Sequence, residues 1–360
     1  MNFSSISKDL YACNCTSTDN EAFRRGMLQA TAIFMLLVAI FGSLFNSMFI
    51  YILLEQSIRK SRTNIYVITL CVASILIAVF IVPSLGISSL ADNWVFGEHG
   101  CILHGFAMTA LGLFQIFILT VMSFEKYIIM AKKSWERLLS RTGTTVTIIG
   151  CSIIGLFLGS CPLIGWNSYK LEEQKTACAI DWSDRSPSAL CYTVLLMFIG
   201  LVIPVSIMIF SYVNIFLVIR GHRHKLHQTL RSNGKCYENM LKREIKVIKT
   251  MFILVCAFVF SWLPYSAISL YAVFDDVTKV NPVLGMLPAL FAKASVIWNP
   301  IIYMFINQSY KKVLKEKLSL YTPAACACCH CKCIRRGDNT ATVTDTNNAV
   351  HGSFIIAYHE

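Results

Sequence analysis

Seven long apolar segments divide this sequence and constrain its fold more than any other feature. They cover residues 27–54, 64–90, 100–131, 142–165, 190–219, 245–274 and 283–306. A helix of about 20 apolar residues is long enough to cross a bilayer, and each of these segments is longer. Because a spanning segment must satisfy its own backbone hydrogen bonds, the pattern predicts helices. We therefore expect an all-α membrane protein with a seven-helix transmembrane domain over residues 27–306.

The composition agrees with this interpretation. Of the 360 residues, 55% are hydrophobic and only 14% are charged, which is too apolar for a soluble domain of this size. The formal net charge of +12 indicates basic cytoplasmic loops, and we expect no nucleic-acid binding. The sequence has no internal repeat, glycine-rich phosphate loop or paired catalytic motif, so neither a transporter nor a membrane enzyme is indicated.

Basic residues cluster after alternate segments and so predict the orientation of the bundle. They follow the first, third and fifth segments: Arg59, Lys60 and Arg62; Lys132, Lys133, Arg137 and Arg141; and the stretch 220–249. Lysine and arginine accumulate in cytoplasmic loops, so these connections are expected inside the cell. The prediction is a multi-pass plasma-membrane protein with an extracellular N-terminus and a cytoplasmic C-terminus.

The N-terminal residues 1–26 are polar and precede the first apolar segment. Asn2 and Asn14 each begin an N-glycosylation pattern, Asn2-Phe3-Ser4 and Asn14-Cys15-Thr16. The region lacks an early apolar stretch of the kind found in signal peptides. We therefore expect an uncleaved, glycosylated extracellular tail.

The C-terminal residues 307–360 fall into two parts. In residues 307–320 lysines alternate with apolar side chains, which predicts a short amphipathic helix on the inner leaflet of the lipid bilayer. Residues 321–360 form a predicted cytoplasmic tail with a cysteine cluster: Cys326, Cys328, Cys329, Cys331 and Cys333. Palmitoylation, foremost of Cys326, Cys328 and Cys329, fits a site beside a membrane-surface helix better than metal binding does.

The seventh segment carries a lysine, Lys293, in the middle of an apolar run. At 1.5 Å per residue from a helix start near 283, it lies about 15 Å deep, close to the bilayer midplane. From there the ammonium cannot reach either surface, and an isolated charge at that depth costs at least several kcal/mol. Lys293 is therefore expected to face the bundle interior and either to pair with a carboxylate or to react chemically.

A set of landmark residues recurs through the seven segments in a specific order. They are Gly42 and Asn46 in the first segment, Cys101 at the top of the third, Glu125-Lys126-Tyr127 at its inner end, Cys178 in the second outer loop, Pro204 and Tyr212 in the fifth segment, Ser261-Trp262-Leu263-Pro264 in the sixth, and Asn299-Pro300-Ile301-Ile302-Tyr303 in the seventh. Over residues 27–320 this set resembles the rhodopsin-like G-protein-coupled receptors. The resemblance implies a rhodopsin-like bundle with a short eighth helix.

The same resemblance implies partners and a covalent tie. The partners are a heterotrimeric G protein and, beyond it, a receptor kinase and arrestin. Cys101 and Cys178 lie on the predicted outer side, an oxidising compartment, where a disulfide is expected.

Lys293 narrows the resemblance to one group. Ala292-Lys293, six residues before Asn299-Pro300, is similar to the retinal-attachment site of animal opsins, which implies a Schiff base between the amine and retinal. Trp262 and Tyr265, one turn apart in the sixth segment, would pack the flat polyene, and Gly112 would leave room for it. Residues 304–309 differ from those of vertebrate visual pigments, which favours a divergent, non-visual or invertebrate opsin in the plasma membrane or a photoreceptor membrane.

A protonated Schiff base in an apolar pocket needs a negative partner. Three residues after Cys101, where many vertebrate visual opsins carry glutamate, this chain has His104. Glu172, six residues before Cys178, matches the alternative counterion position of the family and is the predicted counterion. Glu173, a bound anion such as chloride, and water with His104 are the alternatives.

The implied switch lies on the inner side. Glu125 beside Lys126, together with Glu244 at the base of the sixth segment, is predicted to clamp the third helix to the sixth, and Tyr127, Tyr212 and Tyr303 belong to the same switch. Pro204, Pro264 and Pro300 supply hinges because each removes a backbone hydrogen bond.

Three substitutions depart from the family pattern: Ser74 for aspartate, Lys126 for arginine and Ser152 for tryptophan. Ser74 implies an altered sodium and water network. Lysine lacks the planar fork of arginine, which places efficient G-protein coupling in question. Two alternatives to a light-sensing receptor follow: a retinal photoisomerase with little signalling, and a receptor for a diffusible ligand.

Overall fold

The computed structural model describes residues 3–54, 62–131, 140–229, 234–274 and 282–306. The predicted surface helix over 307–320, the tail cysteines, Asn2 and the side chains of Asn14 and Glu244 lie outside the described part, so the predictions made for them stay predictions. Among the described residues, seven helical spans are long and apolar enough to cross a membrane: Glu21–Leu53, Arg62–Leu90, Gly97–Ala131, Arg141–Ile164, Pro187–Gly221, Ile245–Phe274 and Gly285–Tyr303. These are the first to seventh spans, and they confirm the predicted fold class.

Several spans are built from more than one regular piece. The helices are Phe3–Leu53; Arg62–Leu76 and Val82–Leu90; Gly97–Ala131; Arg141–Ser160; Pro187–Met197 and Ile203–Thr229; Gly234–Phe274; and Pro282–Ala294 and Trp298–Ile306. The joints are π-helical turns at Ile77–Ile81 and Phe198–Val202 and a 3₁₀ turn at Ser295–Ile297. A further 3₁₀ turn at Cys161–Ile164 ends the fourth span. The first helix begins at Phe3, so helical backbone extends well into the segment that the sequence predicts as a polar tail.

The two π-helical turns share a sequence cause. Each ends just before a proline, Pro83 or Pro204, that stands near the start of the next helical piece. Proline has no backbone N–H and its ring clashes with the preceding turn, so the regular hydrogen-bond pattern cannot continue through it. The widened turns are therefore built into the second and fifth spans by the sequence.

The break in the seventh span has an identifiable hydrogen-bond partner. Pro300 cannot donate to the carbonyl of Val296, the residue four positions earlier, so that oxygen needs another donor. The side chain of Asn46, fully buried in the first span, donates to Val296 O at 2.9 Å and to Gly42 O at 2.7 Å. The Asn46 side chain thus supplies Val296 O with the hydrogen bond that Pro300 cannot donate.

A short hairpin follows the fourth span, at the end of the bundle that the sequence predicts to face outside; this end is called outer below and the opposite end inner. Strand β1 (Tyr169–Leu171) pairs antiparallel with β2 (Cys178–Ile180), with Tyr169 opposite Ile180. A disulfide joins Cys178 to Cys101 at the start of the third span, as predicted.

Gly105 lets the hairpin approach the third span closely. A Cβ atom at this position would lie 2.4 Å from the Tyr169 ring. The Tyr169 hydroxyl also donates to Gly159 O at 2.7 Å, which fixes the ring against the fourth span. The hairpin is therefore anchored by the disulfide and by Tyr169.

Candidate functional site

Lys293 lies where the interior of the bundle opens into a cavity. Its side chain is only 5% exposed and contributes to the cavity wall, together with Gly112, Ile116, Leu201, Phe258 and Ala292. Strand β2 contributes Cys178, Ala179 and Ile180 to the same wall. Among the described residues that line the cavity, Lys293 alone carries a charge. The structure therefore turns the lysine toward the bundle interior, into largely apolar surroundings.

Two aromatic residues of the sixth span complete the wall. Trp262 stacks on Phe258 with ring centroids 5.7 Å apart, and Tyr265 meets Trp262 edge to face at 6.3 Å. A Cβ atom on Gly112 would lie 2.9 Å from the Trp262 ring. In this structure Gly112 makes room for the indole of Trp262, whereas the sequence interpretation assigned that room directly to a ligand.

The carboxylate predicted to serve Lys293 does not contact it. No carboxylate among the described residues lies within 4 Å of the Lys293 amine. Glu172 is half-buried and lines a neighbouring, outer pocket, which shares Ile180, Trp182, Tyr265 and Ser269 with the Lys293 cavity. Glu172 is therefore separated from Lys293 by the shared wall.

A hydrogen-bonded chain crosses that wall. The Tyr265 hydroxyl donates to Glu172 Oε1 at 3.4 Å and accepts from Trp182 Nε1 at 3.3 Å. Glu173 is exposed and lacks this connection to the cavity. Of the two neighbouring glutamates, Glu172 is thus the one that is hydrogen-bonded to a residue of the cavity wall, Tyr265.

His104 lies near the outer end of the third span and is 5% exposed. Its Nδ1 atom is 2.8 Å from the Ser84 hydroxyl, and the Trp94 ring contacts the imidazole edge on at 5.2 Å. The third-span position for which the sequence analysis noted glutamate in many visual opsins is therefore filled by a buried imidazole.

An ion pair holds the outer loop beside Trp182. Lys170 Nζ donates to Asp181 Oδ2 at 2.5 Å, and the Ser183 hydroxyl donates to Asp181 Oδ1 at 2.6 Å. Burial of Asp181 opposes its ionisation, but the hydrogen bonds from Lys170 and Ser183 outweigh it, so the pKa of Asp181 lies below its ordinary value. The same contact raises the pKa of Lys170.

Ser74, in place of the family aspartate, forms part of a buried polar layer across the bundle. Its hydroxyl accepts from Gln115 Nε2 at 3.1 Å and from Asn299 Nδ2 at 3.4 Å. These bonds join the second, third and seventh spans directly. The landmark Asn299 is thereby held in the layer one helical piece beyond Lys293.

On the inner side Glu125 has a partner that the sequence analysis did not assign to it. Arg62 Nε lies 3.4 Å from Glu125 Oε1, and the two side chains are 21% and 6% exposed. This pair joins the third span to the second, whereas the prediction joined it to the sixth through Glu244. Lys126 is buried beside Glu125.

The predicted switch tyrosines lie in the same inner half of the bundle. The Tyr212 hydroxyl is 3.4 Å from that of Ser123, Tyr303 packs against Phe49 with ring centroids 5.4 Å apart, and Tyr127 meets Phe210 edge to face at 5.3 Å. Tyr212 and Tyr127 thus both connect the third and fifth spans, and Tyr303 connects the seventh span to the first.

Three residues of these sites were missed by the sequence analysis. Arg62 was counted only as a basic loop residue, although it opens the second span. Trp182 could have been found as an aromatic residue four positions after the disulfide cysteine Cys178. Gln115 could have been found in the same way as Lys293, because it is a polar residue inside an apolar span.

Comparisons with known proteins place the chain in a family. The sequence profile described as "7 transmembrane receptor (rhodopsin family)" matches residues 11–303. The chain therefore belongs to the rhodopsin family of seven-transmembrane receptors. Within that family it is similar to opsins, and the predicted resemblance to a divergent, non-visual or invertebrate opsin is confirmed by the relatives that match it.

Two relatives and one solved structure illustrate the similarity. Melanopsin-B of Gadus morhua is 30% identical over 79% of this chain and 47% of its own length. A protein named "Rhodopsin, GQ-coupled" from Mizuhopecten yessoensis is 28% identical over 82% of this chain and 60% of its own length. The crystal structure of squid rhodopsin has a TM-score of 0.77 at 23% identity and covers 82% of this chain and 86% of its own, which shows a shared fold. The chain thus spans about half of melanopsin-B and three fifths of the scallop protein.

Proposed function

We propose that this protein is a light-sensing receptor that holds retinal covalently on Lys293 and activates a heterotrimeric G protein. The observation that carries the proposal is the position of Lys293, a buried amine that is the only charged residue among the described residues lining an apolar and aromatic cavity. A lysine in such surroundings is suited to condense with an aldehyde. The opsin names of the relatives support the same ligand.

The residues present fit retinal as a ligand. Trp262 and Tyr265 offer flat aromatic surfaces to a polyene, and the remaining wall is mainly aliphatic. Glu172, acting through Tyr265, supplies negative charge at the rim. When bound, retinal supplies the absorption of light and a change of shape, and every later step belongs to the protein.

The position of Lys293 supports a coupling between the ligand and helix movement. The lysine is followed at once by the 3₁₀ turn Ser295–Ile297 and then by Asn299-Pro300. Trp298 Nε1 donates to Ser261 Oγ at 3.1 Å, which ties this region to the sixth span just before Pro264. A displacement of Lys293 would therefore be transmitted to the proline hinges of the sixth and seventh spans. A ligand shifts the equilibrium between two arrangements of the spans when it fits one of them better than the other.

The inner end of the bundle is the proposed site of G-protein activation. We infer that an outward swing of the sixth span opens a cleft beside Glu125, Lys126 and Tyr212 for the G protein. One relative is named as a Gq-coupled rhodopsin, so the Gq class is the first to test. A receptor kinase and arrestin stay predictions from the resemblance.

The test is light-dependent nucleotide exchange. Membranes containing the protein and cis-retinal are mixed with purified G proteins of each class, and exchange is measured in the dark and after illumination. We expect light to accelerate exchange with at least one class and Lys293→Ala to abolish the acceleration. Light-induced isomerisation of retinal without exchange by any class would overturn the signalling part of the proposal and favour a retinal photoisomerase.

A further inference from the structure

We propose that the outer pocket beside Glu172 is a second ligand site, which takes a small organic amine with an apolar body. The ammonium of the ligand pairs with the Glu172 carboxylate, and its body packs against the apolar residues of the pocket. The inference goes beyond the proposed function, because it concerns a ligand other than retinal and a pocket other than the Lys293 cavity.

The outer pocket has the size and the mixed lining of a small-molecule site. Its volume is about 690 Å³, within the roughly 300–1,000 Å³ that is usual for such sites. The sixth and seventh spans contribute apolar side chains to it, among them Ile268, Ala272 and Met286. The hairpin and its flanks contribute charged side chains. A ligand with one charged end and one apolar end matches this combination.

The charges that line the outer pocket leave an excess of carboxylate. They are the carboxylates of Asp92, Glu172, Glu173 and Asp181 and the basic groups of Arg24, Lys170 and Lys175. Arg24 donates to both carboxylate oxygens of Asp92, at 2.7 and 2.6 Å. Lys170 is likewise paired with Asp181. Glu172 and Glu173 form no ion pair with any described residue, and Lys175 is the one lining base left to balance them. The pocket therefore favours a cation over an anion.

Glu172 is the carboxylate that the fold presents to this cation. Its backbone is fixed in the turn after β1, where its N–H donates to Ala177 O at 2.9 Å and its carbonyl accepts from Lys175 N at 2.8 Å. Among the described residues, the donor to its half-buried side chain is the Tyr265 hydroxyl alone, at 3.4 Å. An ionised carboxylate has about four acceptor positions, so most of those on Glu172 are open to a ligand. An ammonium would fill them with charge-assisted hydrogen bonds, the stronger kind.

Two aromatic residues add to the preference for a cation. Trp182 and Tyr265 both line the outer pocket, and their rings meet edge to face with centroids 6.4 Å apart. The faces of such rings attract ammonium groups. The neighbouring cavity offers no competing site, because the charged residue among its described lining is a lysine. An amine is thus expected to stay on the outer side of the wall that the two pockets share.

The experiment compares two probes of similar shape, phenethylamine and the uncharged phenethyl alcohol. The full chain without retinal is reconstituted in nanodiscs of uncharged lipid, and binding of each probe is titrated by saturation-transfer NMR against empty nanodiscs. We expect the amine to bind at least about tenfold more tightly than the alcohol, and Glu172→Gln to remove this preference. The matched control is Glu98→Gln, which alters an exposed glutamate at the outer end of the third span and should keep the preference.

Gly285→Phe tests the place of binding while Glu172 stays intact. Gly285 lines the outer pocket and not the Lys293 cavity, and a Cβ atom there would meet nothing within 4 Å. The added ring therefore has room to occupy the pocket and should weaken binding of the amine. Leu201→Phe enlarges a residue that lines the Lys293 cavity alone and should leave amine binding unchanged.

Three results would overturn the proposal: equal binding of the two probes, a preference for the amine that survives Glu172→Gln, or amine binding that Gly285→Phe does not weaken. Because no retinal is present, each of them is distinct from a failure of the proposed function.

Discussion

At the scale of single residues, Lys293 lies where the seventh helix changes its winding. The lysine is the penultimate residue of Pro282–Ala294, and the 3₁₀ turn follows directly. Asn46 stabilises the same break from the first span by donating to Val296 O. The buried amine and the irregular backbone therefore belong to one local structure.

Glu172 gives the first prediction at this scale. In the proposed retinal-bound form, Glu172→Gln removes the negative charge that Tyr265 connects to the cavity, so the proton on the attached nitrogen should lose stabilisation and the absorption band should move toward the ultraviolet at neutral pH. Absorption spectra of the two proteins check this. The control is Glu173→Gln, which changes an exposed neighbour and should leave the band in place. An unchanged band in Glu172→Gln would exclude Glu172 as the counterion.

Asp181 gives a prediction about pH. Its pKa in the folded protein lies below the ordinary 3.8, so its stabilising effect is complete above pH 3.8 and is lost as the pH falls through the lower folded value. Asp181→Asn should lower the free energy of unfolding at neutral pH by about 1–3 kcal/mol and should reduce the further loss of stability in acid.

Thermal unfolding of the ligand-free protein at neutral and acidic pH measures both effects of Asp181→Asn. Asp184→Asn, three residues away in the same loop, is the control and should behave like the unsubstituted protein. If acid lowered the stability of the unsubstituted protein and of Asp181→Asn by the same amount, Asp181 would not be the source of this pH dependence.

At the scale of helices and strands, the sequence predicted the spans well because hydrophobicity acts over twenty residues at a time. Lys293 was also predictable, since a charge at the bilayer midplane has few physical explanations. The ion pair of Arg62 with Glu125 was not predictable, because a basic residue at a span end is usually explained by the orientation of the protein alone. The contact of Trp262 with Gly112 was not predictable either, since it depends on the distance between two spans rather than on the sequence of either span.

The Arg62–Glu125 pair gives a prediction about the inner ends of the spans. Breaking it should weaken the arrangement seen here, and a shift of about 1–2 kcal/mol changes a two-state ratio about 5- to 30-fold. Arg62→Gln should therefore raise nucleotide exchange in the dark. The double exchange Arg62→Glu with Glu125→Arg should bring the dark rate back toward that of the unsubstituted protein.

The control for this experiment is Arg141→Gln, which alters an exposed arginine at the start of the fourth span. Dark exchange in Arg62→Gln that is no higher than in the unsubstituted protein would show that the pair does not restrain the inner ends. The Glu244 clamp predicted from the sequence would then become the preferred restraint.

At the scale of the whole molecule, three layers of contacts connect the two sides of the bundle. The disulfide-anchored hairpin closes the outer side, the layer of Ser74, Gln115 and Asn299 joins three spans in the middle, and the Arg62–Glu125 pair joins two spans on the inner side. The Lys293 cavity lies between the first two layers. A change of shape in that cavity is thus placed to act on the middle layer through the seventh span.

The absorption spectrum of the reconstituted protein tests the central claim most directly. Purified protein is incubated with cis-retinal and its spectrum is recorded, alongside Lys293→Ala and the matched variant Lys126→Ala, which removes the buried lysine at the inner end of the third span. We predict a visible band for the unsubstituted protein and for Lys126→Ala, and none for Lys293→Ala. The absence of a band from the unsubstituted protein, or its persistence in Lys293→Ala, would contradict the account.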